Sequence, residues 1–201
     1  MTDLFVPTKR RLTSANILPL AEYLPLRRER RLQIGELKRL RRLEVGRFAT
    51  FHFENFETVR HQVQEMLYIE KGGDAQLADE LEAYNPLIPQ GSELSTTVMF
   101  EIDDPVRRAA TLARLGGIEG RAFIDIAGTR ARGLPDPTRE NTSPEGKASS
   151  VQFLKFAFSS AEIAQFKSPG TAIVVGFDHP NYAHMAVMPE VVRAALARDF
   201  D

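Results

Sequence analysis

A change of hydrophobic period within residues 47–91 constrains this chain more than any other feature. RFATFHFEN (47–55) alternates like a half-buried strand, with Phe51 and Phe53 on one face and Thr50, His52 and Glu54 on the other. TVRHQVQEMLYIEKGG (58–73) then repeats its apolar residues every three to four positions, the period of a helix. Asn55 stands where that helix needs a cap, and AYNPLIPQG (83–91) closes the unit as a proline-bracketed loop. A strand running into a helix, with one polar strand face left over, gives the remaining segments something to pack around.

Upstream, residues 26–44 (LRRERRLQIGELKRLRRLE) read as one long helix, with Pro19 and Pro25 placed where a first turn begins. At about 100° per residue, Leu26, Ile34, Leu37, Leu40 and Leu43 share one side, and Arg27, Arg31, Lys38 and Arg42 share the other. Downstream, strands are expected at 94–102, 121–127, 129–132, 150–158, 171–177 and 184–188. Helices are expected at 74–84, 105–115, 159–167 (opened by a Ser159/Glu162 capping box) and 189–198. Gly72 and Gly73 are expected to give the helix over 56–71 its left-handed end. Strands and helices mix without regular alternation, which predicts an α+β fold built on a mixed or antiparallel sheet of about five to seven strands. Residues 1–46 form an arm and basic amphipathic helix in this scheme, and residues 47–201 the core domain.

The chain has no Cys, so thiolate metal sites, disulfides and a thiol nucleophile are excluded. Iron, manganese or zinc would have to be held by His, Asp or Glu. With 13 Phe and no Trp, the core is expected to lean on Phe and aliphatic side chains. The N-terminus lacks an apolar stretch of signal-peptide length, and no run reaches the length of a membrane span, so a cytoplasmic protein is expected.

Residues 1–47 hold 12 Lys/Arg against 5 Asp/Glu, net +7, while residues 48–201 hold 14 against 22, net −8. The basic helix can therefore lie on its own acidic body, on a second copy in a homodimer, or on an anionic partner through Arg27, Arg31, Lys38 and Arg42. Nucleic acid fits less well, because no aromatics interleave the arginines and the body is acidic.

Three clusters could carry chemistry. His52 and Glu54, two apart on a strand, share a face and resemble half of a two-histidine, one-carboxylate metal triad. His61 and Glu65 lie one helical turn apart, with Tyr68 on the same side. Asp178, His179, Asn181, Tyr182 and His184 crowd a short segment after an apolar strand, where loops commonly carry binding groups. A metal site would draw on His52, Glu54, His61, Glu65, His179 and His184, and a ligand pocket on Asp178, Asn181, Tyr182 and Tyr68. Each cluster also has a structural account as an ordinary hydrogen-bonded turn or surface pair. No phosphate-cradling glycine motif, His-Glu-x-x-His or Gly-x-Ser-x-Gly elbow is present, and no catalytic residue is identified.

The runs FATFHFEN, QVQEMLYIEKGGDAQLADELEAYNPLIPQG, TVMFEIDDPVRRAATLARLGG, GKASSVQFLKF and HPNYAHMAVMPE together resemble an uncharacterised bacterial domain-of-unknown-function family of about this length. The resemblance spans nearly the whole chain. Its members are often encoded beside rubrerythrin-like proteins and iron–sulfur oxidoreductases, which implies an accessory role in a redox or peroxide system; it transfers no catalytic residue. Lacking Cys, this chain could not itself ligate an iron–sulfur cluster through thiolates. The chain thus fits an accessory binding protein with a redox partner, a metal-dependent enzyme with a His/carboxylate site, or a nucleic-acid module using the basic helix.

Overall fold

The computed structural model describes residues 10–201. Among the described residues nine strands form two antiparallel sheets, with six α-helices around them. The first sheet runs β1 (Arg42–Val45), β2 (Ala49–Glu54), β3 (Glu93–Phe100), β7 (Val151–Ala157), β6 (Leu134–Pro135). The second runs β5 (Thr129–Arg132), β4 (Ala122–Ile126), β8 (Ile173–His179), β9 (Tyr182–Val187). The α+β class and antiparallel pairing agree with the pattern in the sequence. The single sheet expected from it is instead two sheets sharing one core.

That core follows from strand alternation. Ala49, Phe51 and Phe53 of β2, Leu94 and Val98 of β3, and Leu154 and Phe156 of β7 turn inward and meet Ile124, Val175 and Phe177 of the second sheet. Phe51 and Phe177 touch across the interface with ring centroids 5.2 Å apart. The outer face of the first sheet, carrying His52, Glu54, Ser95, Thr97 and Phe153, is roofed by α2 (Phe56–Glu70) and α3 (Gly73–Tyr84). Beneath α2, Phe56, Val59, Val63 and Leu67 join Leu12, Leu87 and Ile88 in a second apolar cluster.

Several caps lie where local chemistry puts them. Asn55 accepts the Thr58 amide, Asp104 accepts the Arg107 amide at the start of α4 (Pro105–Leu112), and Ser159 with Glu162 boxes α5 (Ser160–Lys167). Pro189 precedes α6 (Glu190–Leu196). The left-handed end of α2 is supplied by Lys71 at φ 57°, not by the glycines that follow.

The N-terminal helix departs most from expectation. α1 spans Leu20–Arg39, so Pro25 lies inside it and forgoes the hydrogen bond to the Ala21 carbonyl. It ends before Arg42, because residues 42–45 pair with β2 and bury Leu43 and Val45 at period two. Of the apolar stripe assigned to its buried side, Leu26 and Leu40 are exposed, Ile34 and Leu37 are half-buried and Leu43 is buried on β1, while Tyr23 is the buried residue of the helix. No helix among the described residues is long and apolar enough to cross a membrane.

Candidate functional site

The outer face of the first sheet holds a cleft of about 360 Å³ under α2. Its floor comes from β2 and β3, whose register sets His52 opposite Thr97 and Glu54 opposite Ser95. Met99 and Phe153 add apolar floor, Tyr84 closes one end, and Lys38, from the last turn of α1, stands at the rim. Strand alternation sends His52 and Glu54 to the same side, as their spacing predicts.

Glu54 is already satisfied. One carboxylate oxygen accepts from Thr97 Oγ1 at 2.8 Å and the other from Thr58 Oγ1 at 2.5 Å. Thr58 is itself fixed by the cap of α2, where the Asn55 amide donates to its hydroxyl at 2.9 Å. His52 is not satisfied: its Nε2 is buried and has no hydrogen-bond partner among the described residues. Burial lowers the imidazole pKa below 6.5 and outweighs the opposing pull of Glu54 and Glu101, so the ring is neutral at pH 7. Ser95 Oγ is also buried without a partner. Since neither atom has a partner, Ser95 and His52 are not hydrogen-bonded as a nucleophile and its base would be.

The other sequence candidates lie elsewhere. His61 lines a groove of about 370 Å³ between α1 and α2, beside Arg30, Glu57 and Gln64, and burial lowers its pKa too. Glu65 is committed to a different set of groups. Tyr23 Oη donates to it at 2.6 Å, and Arg27 donates Nε and a terminal nitrogen at 2.9 and 2.8 Å. The Arg27 guanidinium also lies 4.1 Å from the centroid of the Tyr68 ring, so Tyr68 is a stacking platform for it. Arg27 is thereby spent on tethering α1, and Arg42 lies on β1; of the four basic residues proposed for docking, Arg31 and Lys38 remain on α1 outside that tether. Arg31 joins Leu24, Arg28 and Leu32 on an outward face, with Leu24 52% and Leu32 66% exposed.

The segment 178–184 is the tip of the β8–β9 hairpin, with Pro180 and Asn181 as its turn, and its polar groups are largely occupied in holding structure. The Asn181 amide donates to His179 Nδ1 at 3.2 Å, which leaves His179 Nε2 to carry the hydrogen toward the Gly116 carbonyl at 3.2 Å. Asp178 pairs with Arg132 at 2.5 Å, and that hydrogen bond lowers its pKa. Asn181 donates to the Arg114 carbonyl at 2.8 Å. Tyr182 Oη accepts from the Phe48 and Ala49 amides and donates to the Val45 carbonyl, clasping the β1–β2 turn. His184 packs on Tyr182 with ring centroids 4.5 Å apart. Thus His52 and Glu54 come together, His61 occupies a neighbouring groove, and His179 and His184 lie on the second sheet. Among the described residues no three His, Asp or Glu side chains are grouped to hold a metal ion.

Thr58, Thr97, Met99 and Phe153 escaped the sequence reading. Alternation shows that Ser95, Thr97 and Met99 share a face, but only the β2–β3 register shows which face lies beside His52.

Among curated proteins none matches the chain. A crystal structure described as a novel protein of unknown function from Burkholderia pseudomallei is similar to it at 36% identity with a TM-score of 0.88, covering 94% of this chain and 99% of that one. Residues 11–200 match the family described as Protein of unknown function (DUF3501), and the chain belongs to that family.

Proposed function

We propose that the protein is an accessory binding protein that takes a small planar ligand in the cleft beneath α2 and presents α1 to a partner. The observation that carries this is the unpartnered, buried Nε2 of His52. Leaving such a group unmade costs about 1–3 kcal/mol, which a ligand hydrogen bond would offset. A neutral imidazole offers one N–H and one lone pair, and Met99, Phe153 and Tyr84 favour an apolar ring beside it. Glu54, held by two hydroxyls, fixes the floor and leaves His52 as the group that reads the ligand.

The test is a titration of protein carrying ¹⁵N-labelled histidine with nicotinamide and uracil, which have amide edges. A saturable shift of the His52 nitrogens, lost in His52→Gln, is expected. Flat His52 resonances at millimolar ligand would overturn the assignment.

The partner surface is α1, whose exposed leucines alternate with Arg28 and Arg31. The redox association implied by the family resemblance enters here as a class of partner: a rubrerythrin-like protein or an iron–sulfur oxidoreductase with an acidic face. Affinity for such a protein is expected to fall as salt rises, because exposed charges are screened beyond about 8 Å at physiological ionic strength.

A further inference from the structure

We propose that a second slot on the same sheet face binds small organic acids, the carboxylate meeting Ser95 and Lys155 and the apolar body lying against Phe153 and a proline-rich wall. The slot is about 330 Å³ and opens between β7, the short edge strand β6 and the loop that follows it. Phe153 and Leu87 line both this slot and the His52 cleft, so the two hollows are neighbours. The proposal does not depend on what the His52 cleft binds.

Three observations converge on a carboxylate. Ser95 is 1% exposed, yet its Oγ has no hydrogen-bond partner among the described residues. In a well-packed interior such a hydroxyl is expected to be paired, so an unpaired one at a slot floor points to a missing acceptor or donor. Lys155 stands directly across from Ser95 in the β3–β7 register, and side chains so paired have Cβ atoms about 5 Å apart on one face. Lys155 is half-buried and forms no ion pair among the described residues, so its charge is available to a ligand.

The slot's own acid does not compete for that charge. Asp136 accepts from the Thr138 hydroxyl at 2.7 Å and the Thr138 amide at 2.9 Å and pairs with Arg139, and these contacts lower its pKa. Glu54 faces Ser95 from the other side, with its carboxylate held by Thr97 and Thr58. The walls favour an organic body over a bare anion. Pro86, Pro135 and Pro137 line the slot and carry no amide hydrogen, so they add apolar surface without further donors. Two donor groups, one of them cationic, at the end of an apolar slot complement an acceptor-only anionic head on a hydrocarbon body.

The experiment is isothermal titration of the full chain with benzoate and hexanoate. Benzamide and hexanamide serve as neutral isosteres and inorganic phosphate as the bare anion. Saturable binding of the acids is expected, with the amides and phosphate weaker by about tenfold or more, as for a charge-assisted pair against a neutral one. Lys155→Met is expected to weaken the acids by about tenfold, Lys155→Arg to retain most of the affinity, and Ser95→Ala to lose several-fold. Unchanged thermal unfolding of the two Lys155 variants shows that the loss is local. Equal affinity for acid and amide, full competition by phosphate, an unaffected Lys155→Met protein, or no saturation by about 10 mM would each overturn the assignment.

Discussion

Arg41 and Asp199 lie 158 residues apart and form an ion pair with side-chain exposures of 3% and 4%. Arg41 also donates to the carbonyls of Phe53 and Glu54 at 2.9 and 3.1 Å, so one guanidinium ties the end of α1, strand β2 and the C-terminal turn together. Burial raises the Asp199 pKa, and the Arg41 charge opposes that rise. Removing Arg41 would leave a buried carboxylate without its cation. Arg41→Met is expected to cost about 3–5 kcal/mol in urea unfolding, as for other buried pairs deprived of one partner. The double variant Arg41→Met/Asp199→Leu should regain part of that loss.

The half-buried histidines of β2 and α2 set an acid limit on stability. His52 and His61 both have folded-state pKa values depressed below 6.5 by burial. Between those values and 6.5 the unfolded chain binds protons more readily than the folded one, so stability falls as pH drops through that window. The thermal midpoint is therefore expected to decline from pH 7.5 to about 5.5, above the usual carboxylate range. His52→Gln and His61→Gln should each flatten part of the slope. A slope unchanged in the double variant would refute this assignment.

His184 packs against Gly46 in the β1–β2 turn. Gly46 has φ +73°, and a Cβ added there would sit 2.5 Å from Cγ of His184. Gly46→Ala thus combines left-handed strain with a clash and is expected to cost more than about 1 kcal/mol. His184→Ala should recover part of that cost in the Gly46→Ala background. Additive losses in the thermodynamic cycle would show that the two residues do not meet.

What the sequence revealed and what it hid divide along contact range. The caps at Asn55 and Ser159, and the break between the strands expected at 121–127 and 129–132, depend on residues a few positions apart and are legible. The end of α1 is not legible, because Leu40 and Leu43 suit a helix while Leu43 and Val45 suit a strand. Pairing with β2 decides between them. The same limit applies to the sites. His179 is a natural ligand candidate until its ring is seen to bond Gly116, 63 residues away, and Ser95 has no local signal at all.

The outward face of α1 offers a test of docking. Leu24, Arg28 and Leu32 follow one another at four-residue spacing and are exposed. Leu24→Ser/Leu32→Ser is expected to shift folding stability by no more than about 0.5 kcal/mol per site. The same change should weaken association with an acidic partner severalfold, read by light scattering of the mixture. If it instead halves the molar mass of the protein alone, α1 joins two copies of this chain, with the acidic body of residues 48–201 as the complementary surface.

Metal content separates the binding protein from the metal-enzyme alternative. His52 and Glu54 share the cleft, but Glu54 gives one oxygen to each of two threonine hydroxyls. A structural zinc site takes four protein ligands and a catalytic one three. The cleft would need further donors and the release of Glu54 to reach either. Tag-free protein prepared without chelator is therefore expected to hold well under one equivalent of iron, manganese or zinc by elemental analysis. Near-stoichiometric metal, lost in His52→Gln while the thermal midpoint is retained, would make the imidazole a ligand. The binding assignment would then give way to a metal centre at the same place.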